Sequence, residues 1–197
     1  MKSTSLTFNL FSLAICSSGL YDCFSQQLPP HLIRGGHLQF LTNISLILTI
    51  IYILINLFIN FKFINQYNTT ILYNIVINLE FIVTLGYWTL HYILPSLLNT
   101  KELPPTFTLD FKIHLFPYLY LLLINEKRNK SALFYTGLTI GIYWSYIEFI
   151  VASDSTKLSK FAYPFLNRGG FFARCVFMIG FWTLSCLNYI FLGYIKG

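Results

Sequence analysis

Six stretches of this chain are apolar for about the length that a helix needs to cross the hydrocarbon core of a bilayer, roughly 20 residues at 1.5 Å each. They cover residues 6–25, 41–61, 71–94, 107–124, 133–151 and 171–194. In lipid every backbone amide has to be satisfied within its own segment, so such runs fold as helices. The expected fold is therefore all-α: one transmembrane domain over residues 1–197, with six spans and both termini on the same side. Composition agrees, because 55% of the residues are hydrophobic and only 10% charged, whereas a soluble domain carries about a quarter charged. A net charge of +6 would suggest nucleic acid in a soluble chain. Here the thirteen Lys and Arg stand almost entirely at the edges of the apolar runs, where they face headgroups. The bilayer, and not nucleic acid, is the expected partner.

Local signals refine individual spans. The fourth run opens on Asp110, Lys112 and His114 and then meets Pro117, which removes one helical hydrogen bond and predicts a short or kinked span. The first run has some features of a secretory leader, with Lys2 ahead of it and small residues at Ser17, Ser18 and Gly19. Its apolar character continues through Leu20, Tyr21 and Phe24 without a small-x-small cleavage site, which favours a retained span. Cys16, Cys23, Cys175 and Cys186 fall inside apolar runs and read as small buried hydrophobes, not as a disulfide framework or zinc ligands. No metal or organic cofactor is implied.

With six alternating spans, the first, third and fifth connections share one face. Asp22, His31, Arg34, His37, Thr42, His91, Asp110, Lys112, His114, Glu148, Asp154 and Arg168 then lie together, and all four histidines are among them. The opposite face carries Lys2, Lys62, Glu126, Lys127, Arg128, Lys130 and Lys196. It has no group that ordinarily titrates near neutrality, so a reactive site is expected at the histidine face. The short basic loop "NEKRNK", residues 125–130, argues for cytoplasmic termini. The Asn68 and Asn129 sequons then stay unglycosylated, and Asn43 lies too close to the membrane to be an acceptor.

Several features on that face or within the spans carry candidate chemistry. Thr42 enters span two in "RGGHLQFLTNIS", residues 34–45, either as a hydroxyl that caps the helix or bonds a nearby carbonyl, or as a nucleophile. His37 is five residues away, about 140° around a helix, and reads as interfacial. His114 lies one turn inside a span, where an ionisable residue is costly and points to function. Asp110, four residues earlier, stacks on the same helix face and can orient the imidazole or cap the helix. Glu80, in the middle of span three, is expected to be protonated or bonded to a Tyr or Asn of another span. Glu148 either lines the same site or reaches interfacial water. The segment "FAYPFLNRGG", residues 161–170, reads as a turn within an aromatic belt.

In order, "GGHLQFLTN", "DFKIHLFPYLYLLL" and "YPFLNRGG" resemble the androgen-induced and androgen-dependent TFPI-regulating family of six-span membrane proteins. The resemblance covers most of the chain. It implies a threonine hydrolase that cleaves fatty acid esters of hydroxy fatty acids, in the endoplasmic reticulum or plasma membrane. By its "FLT" element it carries the nucleophile onto Thr42, and by the start of span four it carries the base onto His114. Asp110 and Glu148 remain orienting or site-lining candidates, and animal members have a histidine pair where this chain reads "YWSYIEFIV". The alternatives are a non-catalytic lipid-binding or scaffold protein and a small transporter, against which stand the limited deep charge, Glu80 alone, and the lack of an inverted repeat.

Overall fold

The structure is a computed structural model that describes residues 5–63, 69–98, 104 and 106–196. Lys2 and the Asn68 sequon lie outside these residues. Among the described residues every regular element is helical. Helices α1 (Leu6–Ser25), α2 (Leu41–Asn60) and α3 (Thr70–Ile93) come first. A broken segment follows: one turn, α4 (Phe107–Asp110), a π-helical stretch (Phe111–Leu115), and α5 (Phe116–Leu123). Then come α6 (Ser131–Ala152), the single turn α7 (Pro164–Asn167) and α8 (Phe171–Lys196). The apolar runs thus coincide with helical segments. Of these, α2, α3 and α8 are each long and apolar enough to cross a membrane.

The break in the fourth segment follows from Pro117. Its ring would clash with a carbonyl in the preceding turn, and it offers no amide to bond there. The backbone widens ahead of it, so that the Phe116 amide reaches back five residues to the Phe111 carbonyl. At the other end of the segment, the Thr106 hydroxyl accepts from the Leu109 amide and caps the entry turn.

Among lipid tails, leucine against leucine gains only packing, so helix association relies on small residues and polar stitches. The structure has both. Helix α3 lies at the centre and contributes to two apolar clusters. One joins Cys16, Tyr52, Ile77 and Leu121, and the other joins Leu79, Ile140, Tyr143 and Met178. Between them a continuous chain of bonds crosses four helices. Tyr118 donates to Asn188 (2.8 Å), Asn188 to Asn78 (2.9 Å), and Asn78 to Thr136 (3.4 Å). Around the outside, large apolar side chains such as Phe11, Phe134, Ile142, Phe172 and Ile179 stand exposed, as a lipid-facing surface requires.

Connections gather at two ends. At one end, Thr69 and Asn74 on the approach to and start of α3 bond Glu126 and the Lys127 carbonyl, while Lys196 donates to the Ile124 carbonyl. Asn9 of α1 accepts from Tyr120 of α5 near the same stretch. At the other end, the segment between α1 and α2 is fastened to α6 and its following loop. Tyr146 donates to the Gly35 carbonyl (3.0 Å), Tyr143 to the Gln39 carbonyl (2.9 Å), the Lys160 amide to the His31 carbonyl (3.1 Å), and Arg34 to Ser153 (3.0 Å). Gly36 adopts φ +57°, a left-handed turn that side chains resist.

Candidate functional site

Beneath those fastened loops lies a cavity of about 140 Å³. Thr42, Asp110 and His114 line it together, although they come from separate elements. Thr42 is the second residue of α2, whose entry at Phe40 has no side-chain cap. The first amides of the helix turn instead to a tyrosine. The Leu41 N–H donates to the Tyr163 phenol oxygen at 3.0 Å, and Thr42 lines the cavity beside the same phenol. Burial pushes the Tyr163 phenol above its usual range, and hydrogen bonding at its oxygen opposes the shift. Asn43, the next residue, is buried and donates to the His37 carbonyl, which leaves no room for a glycan.

His114 sits in the π-helical stretch and is 9% exposed. Its Nδ1 lies 3.6 Å from the Asp110 carboxylate, beyond an ordinary hydrogen bond, and has no hydrogen-bond partner among the described residues. The ring instead lies flat on Tyr87, with centroids 3.6 Å apart and planes 3° from parallel. Stacking therefore sets the imidazole plane, and Asp110 supplies a nearby negative charge. Chemically, the cavity presents a hydroxyl, an imidazole with a carboxylate beside it, and a phenol, within walls that are otherwise largely apolar. Such a set suits nucleophilic attack on an apolar ester.

Several sequence expectations are resolved by position. His37, which reads as interfacial, lines the cavity and stacks on Phe24, and burial pushes its imidazole below the usual value. Glu148 stands apart from the cavity. It takes the Nε and Nη2 hydrogens of Arg174 and the indole hydrogen of Trp144. Arg174 also donates to the Gly169 carbonyl and lies over the Phe161 ring, so the pair joins α6 to the start of α8. Among the described residues, Glu80 is fully buried and accepts a hydrogen bond from Thr49 rather than from a Tyr or Asn. Asp22 pairs with Lys112 at 2.9 Å, and Asn129 accepts from the Ser131 amide at the start of α6. Tyr87 carries no signal of a cavity residue in the sequence, and Tyr163 reads there only as part of the aromatic turn of residues 161–170. At a span end and in a proline turn, tyrosine is the ordinary residue of an interfacial belt.

The helices, the lipid-facing surface and the cavity define an α-helical membrane protein. Residues 4–197 match the model of FAR-17a/AIG1-like proteins. The chain belongs to that family, whose name includes the androgen-induced proteins. It is 31% identical to the UPF0641 membrane protein YHR140W of Saccharomyces cerevisiae, over 94% of this chain and 87% of the yeast protein. No solved structure matches it.

Proposed function

We propose that the protein is a lipid ester hydrolase that uses Thr42 as nucleophile and His114 as general base, within six membrane spans with both termini cytoplasmic. The observation that supports this best is that two side chains far apart in sequence line one cavity, with Asp110 beside the imidazole. A threonine hydroxyl is inert at its free pKa and needs such a base within reach. In this reading the Thr42 Oγ attacks the acyl carbon while His114 takes its proton and returns it to the leaving alkoxide. Water then releases the fatty acid. Tyr163 stands beside Thr42 in the cavity, already accepts a bond from the Leu41 amide, and has its own proton left to give. We assign it as the donor to the developing oxyanion. The apolar walls suit a long acyl chain, and the family relationship favours an ester of a hydroxy fatty acid in an internal membrane.

A fluorophosphonate probe tests this assignment. Purified wild-type protein should become labelled on Thr42, and Thr42→Ala and His114→Ala should each lose the label while keeping the wild-type melting profile. Labelling that persists in either variant rules out the pair. The alternative, a non-catalytic lipid-binding protein, draws on the bond from the Leu41 amide to Tyr163 beside Thr42, which also stitches the start of α2 to the loop after α6. It predicts a wild-type protein that binds fatty esters without labelling or turnover.

A further inference from the structure

Polar side chains continue inward from the cavity along three helices. On α2 the run is Thr42, Ser45 and Thr49; on α3 it is Tyr87, Thr84 and Glu80; on α1 it is Cys23, Cys16 and Ser12. Spacings of three, four and seven keep each run on one helix face. The runs converge at depth. Thr49 Oγ1 donates to Glu80 Oε1 at 2.7 Å, and Cys16 stands within electrostatic reach of the same carboxyl. Glu80 is fully buried, roughly 10 Å along α3 from Tyr87 at 1.5 Å per residue.

Beyond the Thr49–Glu80 bond, most of these groups have no geometric hydrogen-bond partner among the described residues. Ser45 Oγ, Glu80 Oε2, Thr84 Oγ1, Tyr87 OH and Ser12 Oγ are buried without a hydrogen-bond partner among the described residues, as is His114 Nδ1 at the cavity. By contrast, the Tyr118–Asn188–Asn78–Thr136 chain elsewhere in the core is bonded throughout. A dry orphan costs about 1–3 kcal/mol, so a dry seam would use up much of the stability of an ordinary domain, about 5–15 kcal/mol. Water with two to four polar partners removes that cost. A divalent cation suits the seam poorly, because Glu80 is its one carboxylate and hard cations take several charged or carbonyl oxygens.

We propose that this seam is a buried water site anchored by Glu80, Ser45 and Thr84, and that it supplies the water that hydrolyses the acyl-Thr42 ester. The second half rests on the hydrolase reading above. In that step the water oxygen bonds the acyl carbon as His114 takes its proton. The bond from Thr42 Oγ to the acyl carbon then breaks, and His114 returns the proton to Oγ, leaving free fatty acid and threonine. An acyl chain in the cavity excludes bulk water from its mouth. A store behind the nucleophile supplies the hydrolytic water without emptying the cavity.

The test uses the full chain in detergent and reads X-ray radiolytic hydroxyl labelling by mass spectrometry, with rates normalised to intrinsic side-chain reactivity. Cys16, fully buried, should label faster than Met178, which is buried in the second apolar cluster. Ser45→Ala with Thr84→Val should remove the excess, and Ser45→Ala alone should reduce it should the double variant fail to fold. Equal normalised rates at Cys16 and Met178 overturn the water site, as does labelling indifferent to these substitutions. With a p-nitrophenyl ester of a long fatty acid, the same variants should keep the initial burst. Their linear phase should slow about tenfold, equivalent to roughly 1.4 kcal/mol of lost positioning. An unchanged linear phase in a variant that has lost Cys16 labelling overturns delivery from the seam. Absence of p-nitrophenol release by the wild type overturns the hydrolase reading, and the labelling then decides the water site by itself.

Discussion

His114 illustrates how much a single residue owes to its neighbours. Four-residue spacing brings Asp110 to its side, and that relation can be read from the chain because both lie on one helical segment. The stacking of Tyr87 cannot be read in this way, since the ring comes from another helix whose rotation about its axis is set by packing. The same holds for Tyr163 against Thr42 and for Thr49 against Glu80. If Asp110 steadies the imidazolium that forms during attack, Asp110→Asn keeps the volume and removes the charge. Turnover of a fatty ester should then fall about 10- to 100-fold, equivalent to roughly 1.4–2.7 kcal/mol, with little change in KM. An unaltered kcat would reduce Asp110 to a helix-entry residue.

Among the elements, the broken fourth segment decides where the imidazole points. Pro117 announces a break, but whether the chain responds with a kink, a gap or one extra residue in the turn depends on its neighbours. Here α1 settles the matter by coming very close. A Cβ built on Gly19 would lie 2.8 Å from the Ile113 side chain and 3.1 Å from Lys112 Cβ, so glycine is what admits the π-helical stretch. Gly19→Val should push the two apart, lower thermal stability by about 1–3 kcal/mol, and weaken probe labelling of Thr42 along with it. Calorimetry in detergent and the labelling assay read the two effects separately. A variant with wild-type melting and labelling would show that the close approach has no bearing on the site.

On the scale of the whole molecule, the connections after α1, α3 and α6 meet over the cavity, and the ion pair between Glu148 and Arg174 clamps α6 and α8 beside them. Glu148 lies outside the cavity and pairs with Arg174. Glu148→Ala leaves a mostly buried guanidinium without its carboxylate, a change that costs about 3 kcal/mol. Melting should fall accordingly, while Thr42 labelling per folded molecule stays at the wild-type level, and a selective loss of labelling would return Glu148 to the site.

The helical class, the positions of the apolar segments, the break at Pro117 and the end of the molecule that carries the histidines were all decided by the sequence. Each depends on local transfer energies and backbone geometry, which a chain expresses wherever its neighbours lie. Only the tertiary structure decided that Thr42 and His114 share a cavity, that tyrosines hold them, that Glu148 turns away, and that orphaned polar groups lead down to Glu80. Helices apolar on nearly every side specify their rotation and mutual contacts only weakly. Those choices therefore wait for small residues, polar stitches and close packing between helices to be satisfied at once.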